Sequence, residues 1–305
     1  MADTRKNAMT PPPGHGRRPD FSDIDVWGLT HPGKGRRENQ DHFFAGALAR
    51  RPDGTVEPLS VTEEADGAPG TERLASLAAV ADGVGSSSGG GEAARIAVEE
   101  LIRAVALAFP EAAEVERGDP EVFSRLLHDA ALACHGSLVE RGRREGEPTR
   151  FATTLTLFLG FWPHAHLLQV GDSRGYLFHG GELTQISRDQ TLAQELVDQG
   201  VLTRTVAEKT RWAHVLSSAI GGLEAEPVVT RLVRDWGTVV LLCSDGLTKH
   251  VPDERIGERL RSMASAREAC ERLLQDALDD GGTDNVTIVI GRTRPEAGGR
   301  RAPRS

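Results

Sequence analysis

The sequence predicts an α+β fold, a four-layer α/β/β/α sandwich in which two packed antiparallel β-sheets lie between outer layers of helices. The first observation is the order of the elements: strands, two helices, strands, helices and a final strand. The strict strand–helix alternation of a doubly wound parallel sheet is therefore absent. The second observation is that several strands are continuous apolar runs ending at turn residues. VVLLC (239–243) is one of them, and this pattern indicates a strand buried on both faces.

The first half of the chain contains three predicted strands followed by two predicted helices. The strands are at 24–30, 41–48 and 74–81. The helices, in which apolar residues recur at i, i+3 and i+4, are at 91–109 and 120–144. The polar segment 50–74 is predicted to be a loop with a hairpin near Asp53 and Gly54.

The second half of the chain consists mostly of strands, with shorter helices between them. The predicted strands are at 152–161, 164–171, 174–180, 182–187, 228–235, 238–243 and 285–292. Residues 191–212 are predicted to form two short helices that are separated at Gly200. Further helices are predicted at 253–263 and 266–280.

A single domain is predicted between two tails. Residues 1–22 are rich in Pro, Gly and Arg, residues 293–305 are basic, and both segments are predicted to be disordered. Residues 23–292 are predicted to form the folded domain. The first segment lacks the apolar core of a secretory signal, and no stretch approaches the length of a membrane span. We therefore expect neither export nor membrane insertion.

Charge, cysteine and histidine content exclude several classes of function. The formal net charge of −9 argues against nucleic acid or an anionic membrane as a partner. Three widely spaced cysteines predict a reducing compartment, the cytoplasm, without disulfides. The histidines of HAH (164–166) have no third ligand at a suitable spacing, so we expect a solvated strand end there rather than a zinc site.

Four aspartates stand where apolar strands end or begin: Asp82, Asp172, Asp245 and Asp284. Any one of them alone is better explained as a turn residue. As a set they would meet at packed strand ends, where each uncompensated buried carboxylate costs several kcal/mol. A whole domain is stable by only roughly 5–15 kcal/mol, so this set needs cations. All-oxygen ligands suit Mg²⁺ or Mn²⁺ rather than Zn²⁺.

Eight motifs in a fixed order give the chain a specific resemblance. From about residue 24 to 292, the sequence resembles the bacterial form of the metal-dependent protein phosphatases, the type 2C or PPM serine/threonine phosphatases. The motifs are GKGRRENQD (33–41), VADGVG (80–85), ATTLTL (152–157), VGDSRGYL (170–177), ELTQISRDQT (182–191), VLSSAIGG (215–222), LLCSDGL (241–247) and GGTDNVTIVI (281–290). The resemblance implies a β-sandwich flanked by helices, with a binuclear metal centre at one edge.

The resemblance also implies a set of metal ligands. Asp82 would bridge two metal ions, and the carbonyl of Gly83 would bind the second ion. Asp245 and Asp284 would bind the first ion. Asp41 would lie in the surrounding shell and hold metal-bound water. Asp82, Asp245 and Asp41 would therefore also count among the catalytic residues.

Three further roles follow from the same resemblance. Asp172, together with Asp245, would hold a weaker third metal ion. Arg36 would bind the phosphate of the substrate, because a planar guanidinium can hold two phosphate oxygens at once. Residues 189–215 would form a variable flap beside the cleft.

The implied activity is hydrolysis of phosphoserine and phosphothreonine on proteins that are targets of a serine/threonine kinase. Two Mg²⁺ or Mn²⁺ ions would share a water molecule and lower its pKa, and the resulting hydroxide would attack phosphorus. The enzyme is expected to be a monomer in the cytoplasm, acting in signal transduction. The alternative is a catalytically weak scaffold or sensor of the same fold that binds phosphoproteins. Gln40, where many relatives have Glu, would weaken affinity for the second metal ion.

Overall fold

The computed structural model describes residues 19–60, 69–85, 89–116, 118–147, 149–207 and 209–294. Within these residues the strands are β1 (Ile24–His31), β2 (Asp41–Arg50), β3 (Val56–Ser60), β4 (Glu72–Asp82), β5 (Leu155–Phe161), β6 (His164–Val170), β7 (Arg174–His179), β8 (Glu182–Gln185), β9 (Val228–Val233), β10 (Val239–Cys243) and β11 (Val286–Thr293). The helices are α1 (Gly89–Val115), α2 (Val122–Arg144), α3 (Leu192–Asp198), α4 (Arg204–Ala207), α5 (Asp245–Thr248), α6 (Asp253–Arg261) and α7 (Ala266–Asp279).

Two antiparallel sheets form the centre of the molecule. One sheet has the strand order β1-β11-β10-β7-β8, and the other has the order β3-β2-β4-β5-β6-β9. Helices α1 and α2 pack on the larger sheet, and α6 and α7 pack on the smaller one. A third apolar cluster, which includes Val80, Phe158 and Leu242, fills the space between the sheets. The predicted four-layer sandwich is confirmed.

The strands in the middle of both sheets are apolar because they are covered on both faces. All seven residues of β5 and all five of β10 are buried. Burying a large aliphatic side chain contributes roughly 1.5–3 kcal/mol, so these runs account for much of the driving force for packing the layers together. The same packing fixes the strand ends, and most of the aspartates of interest follow or precede such ends.

Helix α1 is longer than the predicted helix, which stopped before Pro110. The helix continues through Pro110 to Val115. Proline removes one backbone hydrogen bond from a helix interior, which normally ends or kinks the helix. Here Phe109 and Ala112, on either side of the proline, are buried in the core between α1 and the larger sheet. Tertiary packing therefore offsets the local preference for a break.

The prediction of a solvated strand end at HAH was wrong for His166. β6 is an inner strand between β5 and β9, so side chains on its helix-covered face are buried. His166 is fully buried and its ring stacks on Phe161, with centroids 5.9 Å apart and planes 11° apart. Burial lowers the pKa of His166 to about 4, so the ring is neutral at physiological pH.

Two other predicted boundaries differ from the structure. Part of the polar segment 50–74 is a strand, β3, which pairs with β2 through a hairpin at residues 51–55, while residues 61–68 lie outside the described part. The predicted N-terminal tail includes Pro19, which is buried, and a 3-10 turn at Phe21–Asp23. Residues 1–18 and 295–305, the rest of the two predicted tails, also lie outside the described residues. No helix in the described part of the chain is long and apolar enough to cross a membrane.

Candidate metal centre

The sandwich brings five aspartates together at one end of its strands. Asp41 begins β2 and Asp82 ends β4, and the two residues are direct partners in the antiparallel register. Asp172 follows β6, Asp245 follows β10, and Asp284 precedes β11. The negative charges of the other four carboxylates all act on Asp82. The sequence-predicted ligands therefore form one cluster.

Asp41 is buried, and only one of its oxygens is hydrogen-bonded. Oδ2 accepts hydrogen bonds from Ser244 Oγ at 2.8 Å and from Thr287 Oγ1 at 2.6 Å. Oδ1 is buried without a hydrogen-bond partner among the described residues. Burial raises the pKa of the Asp41 carboxyl to about 6, and the charge of Asp245 adds to this, although the two hydroxyls oppose it.

Asp82 lies at the centre of the cluster, next to a glycine that the packing requires. Burial, followed by repulsion from Asp41 and Asp245, raises the pKa of Asp82 well above its ordinary value. Gly83, the next residue, packs against the first turn of α1. A Cβ atom on Gly83 would lie 2.4 Å from the carbonyl carbon of Gly90, so only glycine fits here.

Asp245 begins the short helix α5, which was not predicted, directly after the buried strand β10. Its Oδ2 lies 2.6 Å from Nζ of Lys249, one helical turn later. Its Oδ1 is the second buried oxygen of the cluster that has no hydrogen-bond partner within the described ranges. Burial would lower the pKa of Lys249, but Asp245 and Asp284 raise it, so the ammonium group is charged.

Asp284 is held by two cationic side chains. Arg36 donates to both of its oxygens, from Nε at 2.7 Å and from Nη2 at 3.0 Å. Lys249 Nζ donates to Oδ2 at 2.8 Å. Burial alone would raise the pKa of Asp284, but these hydrogen bonds keep it below its ordinary value. Asp284 is thus ionised, whereas Asp41 and Asp82 are destabilised as anions.

Asp172 has no arginine partner among the described residues, although Arg174 is two residues away in the sequence. Arg174 instead forms a bidentate ion pair with Asp189, with Nη2 to Oδ2 at 2.6 Å. Burial, followed by repulsion from Asp245 and Asp189, raises the pKa of Asp172 to about 8. The arginine therefore stabilises the loop before α3, and at Asp172 the charge of Lys249 offsets the burial and the repulsion only in part.

The sequence analysis missed the residues that position the cluster. Asn285 holds the loop that carries Arg36: its amide donates to the carbonyls of Pro32 and Glu38 at 3.0 and 2.9 Å, and its Oδ1 accepts from the backbone N–H of Gln40. Asn285 directly follows a predicted ligand, which is the only sequence signal that pointed to it. Ser244 likewise adjoins a predicted ligand, Asp245, whereas Thr287 carried no such signal because it lies within the apolar run of β11.

The donor set fits hard divalent cations. The cluster contains buried carboxylates with raised pKa values and two buried oxygens without partners in the described residues, all of which indicate missing positive charge. Oxygen-only donors are typical of Mg²⁺ and Mn²⁺ sites. In the described part of the chain, no three acidic, His or Cys side chains are grouped in a way that could hold an ion. Two of the carboxylates are held by cations instead: Arg36 binds Asp284, and Lys249 binds both Asp245 and Asp284.

Comparison with known proteins identifies the family. The family model described as protein phosphatase 2C matches residues 66–281, more than half of the chain. The chain belongs to the protein phosphatase 2C family. The resemblance found in the sequence is thereby confirmed, and the acidic cluster lies in a fold that this family shares.

Individual relatives agree with the family assignment. The chain is 36% identical over 219 residues to the serine/threonine protein phosphatase PstP of Mycobacterium tuberculosis, covering 71% of this chain and 40% of PstP. This chain thus matches about two fifths of the length of PstP. A crystal structure of M. tuberculosis PstP superposes with a TM-score of 0.69 at 30% identity, covering 89% of this chain and 99% of that one. A structure of the PstP catalytic domain in complex with two manganese ions has a TM-score of 0.65 at 29% identity, with the same coverage of both chains.

We expect Asp172→Asn to stabilise the metal-free protein in a pH-dependent way. A carboxyl whose pKa is raised in the folded state loses stability as the pH rises from its unfolded pKa, near 4, through its folded pKa, here about 8. The melting temperature of the variant in EDTA should therefore match that of the wild type near pH 4 and exceed it increasingly as the pH rises. It should exceed the wild type by about 5 °C at pH 8.

Thermal melts of both proteins in EDTA between pH 4 and pH 8 test this expectation. Asp129→Asn is the matched control, because the Asp129 side chain is 79% exposed and lies outside the cluster. A difference between Asp172→Asn and the wild type that stays constant across this range would contradict the electrostatic description of the cluster.

Proposed function

We propose that this protein is a metal-dependent serine/threonine phosphatase that hydrolyses phosphoserine and phosphothreonine on proteins. One observation carries the proposal: in a protein phosphatase 2C chain, five aspartates meet at one end of the sandwich, and two of their buried oxygens lack a partner in the described structure. Such a cluster is unfavourable for a purely structural role, because unpaired buried charges destabilise the fold. It is favourable as a ligand set for divalent cations.

The cluster would hold two Mn²⁺ or Mg²⁺ ions. Asp82, central among the five, is the proposed bridging ligand, with the carbonyl of Gly83 on one side and Asp245 and Asp284 on the other. Two manganese ions in the related PstP catalytic domain support the same cofactor here. When bound, such a pair of ions lowers the pKa of water and stabilises charge on the oxygens of a phosphoryl group. Asp41 is the proposed acceptor for water that belongs to the ions.

The chain's own residues would hold and orient the substrate phosphate. Arg36 is half exposed at the edge of the cluster and uses Nε and Nη2 to bind Asp284. We propose that this contact positions the guanidinium and that Arg36 binds the phosphate of the substrate. Asp172 is proposed to take part, with Asp245, in binding a weaker third ion. The sequence-predicted flap, residues 189–215, contains α3, α4 and a 3-10 turn at Arg211–His214, and is proposed to contact the protein substrate.

Partners and location follow as further parts of the proposal. The relatives are named as serine/threonine phosphatases, which supports phosphoproteins, the targets of a serine/threonine kinase, as substrates. The three cysteines are free and buried, which supports a reducing compartment such as the cytoplasm. We propose that the protein acts there as a monomer.

The experiment that tests the function is hydrolysis of a phosphothreonine peptide with Mn²⁺, with Mg²⁺ and with EDTA. We expect phosphate release with either metal and none with EDTA. Asp245→Asn should remove the activity, and Asp129→Asn should keep it. If neither metal supports hydrolysis while the folded protein still binds the phosphopeptide, the enzyme proposal is wrong and the scaffold alternative explains the chain better.

Arg36→Ala should raise KM for the phosphopeptide about tenfold and change kcat less, because it removes a contact made to the phosphate before the reaction. Arg36→Lys should recover only part of the loss, since a single ammonium cannot reproduce the bidentate contact. Arg37→Ala, a neighbour on the same loop, is the control. An unchanged KM in Arg36→Ala would remove the phosphate-binding role.

A further inference from the structure

A second cleft opens between the two sheets, at the end of the strands opposite the acidic cluster. β4 connects the two places: Ser76, near its start, lines the cleft, and Asp82 ends the strand six residues later, about 20 Å away. The walls of the cleft are largely apolar and come from both sheets, among them Phe158, Val240 and Val289. The side chain that makes this cleft unusual is Arg234, which also lines a neighbouring pocket together with Pro19.

Arg234 follows β9 and points its guanidinium between the sheets. The residue is 7% exposed, and its Nε is buried with no hydrogen-bond partner among the described residues. Its guanidinium carbon lies 5.2 Å from the centre of the Phe158 ring, a cation–π contact. Gly160 makes room for it, because a Cβ atom there would lie 2.7 Å from Nη2 of Arg234.

Two other partly buried arginines show what is missing at Arg234. Arg174 is neutralised by a bidentate contact with Asp189, and Arg259 makes the same kind of contact with Asp276. No described carboxylate does this for Arg234. Burial lowers its pKa to about 10, and no acidic group counters that effect. A buried cation without a counter-charge is costly, so the site is suited to an anion that the described residues do not supply.

The surroundings add polar groups, but the described part of the chain supplies no acceptor for Nε of Arg234. Ser76 Oγ lies on the cleft wall and accepts a hydrogen bond from the side chain of Arg73. Arg292 also lines the cleft, but its guanidinium is held by Asp25 at 3.0 Å. Of the arginines at this cleft, Arg292 is thus held by a carboxylate, whereas Arg234 has no carboxylate partner among the described residues.

The size of the cleft limits the ligand. Its cavity volume is about 30 Å³. A water molecule needs roughly 10–15 Å³ in the same measure, so the space accepts a group of two or three heavy atoms. A carboxylate has this size, and its two oxygens match the Nε and Nη2 fork of an arginine. A nucleotide or a larger phosphate ester does not fit.

We propose that this cleft is a binding site for the carboxylate of a small organic acid, held by Arg234 between the two sheets. The carboxylate fills the enclosed space, so the short carbon chain of the acid would extend along the apolar walls toward the opening of the cleft. The site is separate from the acidic cluster, and the proposal does not depend on the phosphatase activity.

The test is thermal melting and calorimetric titration of the full chain with formate, acetate and propionate, against chloride and inorganic phosphate at equal ionic strength. The proteins compared are the wild type, Arg234→Met, and Arg255→Met as a control that removes an exposed arginine of α6. We expect acetate or propionate to bind the wild type and the control, with at least tenfold weaker binding to Arg234→Met. Binding should raise the melting temperature of the two binding proteins.

Arg234→Met should remain folded, because it replaces an uncompensated buried cation with an apolar side chain of similar length. Its melting temperature without added anion should be equal to or higher than that of the wild type. No binding of any carboxylate to the wild type would overturn the proposal, as would equal binding to Arg234→Met. A preference for phosphate or chloride over all three carboxylates would overturn the assigned ligand class.

Discussion

Asp82→Asn should reduce phosphopeptide hydrolysis by more than about 100-fold while making the metal-free protein more stable. The activity should fall further than the 10–100-fold typical of residues that only support a metal ligand, because Asp82 is the proposed bridging ligand itself. The stability should rise because burial and four neighbouring carboxylates disfavour the Asp82 anion in the folded state. The asparagine removes that charge and keeps nearly the same shape.

Thermal melts in EDTA and in saturating Mn²⁺ measure both effects on one protein. The wild type should gain stability with Mn²⁺, and Asp82→Asn should gain little. Asp129→Asn, an exposed aspartate on α2, should behave like the wild type in both conditions. If Asp82→Asn melts at a lower temperature than the wild type in EDTA, Asp82 stabilises the fold directly. If Asp82→Asn retains activity, the proposed ligand set is wrong.

Lys249→Met should increase the affinity for Mn²⁺ about tenfold. The Lys249 ammonium lies 2.6 Å from Asp245 and 2.8 Å from Asp284, so it competes with a divalent ion for two proposed ligands. Two opposite charges about 4 Å apart interact by about 4 kcal/mol near a protein surface, and part of this is regained by hydration of the lysine. In EDTA the variant should melt at a lower temperature than the wild type, because the repulsion between the acids is then unopposed.

Isothermal titration with Mn²⁺ checks the change in affinity. Lys34→Met is the matched control, since Lys34 lies on the Arg36 loop and donates to the backbone carbonyl of Leu278 rather than to a carboxylate. The control makes the same change in net charge, so it corrects for long-range electrostatics. If Lys249→Met binds Mn²⁺ more weakly than the control, Lys249 positions the ligands rather than competing for them.

The positions of the aspartates in the site could be predicted from the sequence because each aspartate lies at or next to the end of a strand. A short apolar run that is rich in β-branched residues and bounded by turn residues, such as β10, favours a buried strand, and this places Asp245 near the end of a buried layer. Packing two such layers brings their ends together. The directions of the long cationic side chains could not be read in this way. Arg174 lies two residues after Asp172 in the sequence yet pairs with Asp189, which comes fifteen residues later in the loop before α3.

The fold was predictable wherever periodicity decided it, and less so where tertiary packing did. The order of strands and helices implied the four-layer sandwich. It could not show that α1 continues past Pro110, because that depends on burial of the residues on either side of the proline. Nor could it show that His166 is buried. The sheet order places β6 between two strands and under α2, and no local pattern in HAH indicates that position.

The most direct measurement compares two quantities over a series of Mn²⁺ concentrations, in the wild type and in Asp245→Asn. Equilibrium dialysis gives the number of Mn²⁺ ions bound per chain, and an assay at the same concentrations gives the rate of phosphopeptide hydrolysis. If the acidic cluster is the catalytic metal centre, hydrolysis should be absent in EDTA and should reach its maximum as two ions bind. Asp245→Asn should then bind fewer ions and hydrolyse little. Hydrolysis that persists without bound Mn²⁺, or that is unchanged in Asp245→Asn, would contradict the proposal that the five aspartates hold the catalytic metals.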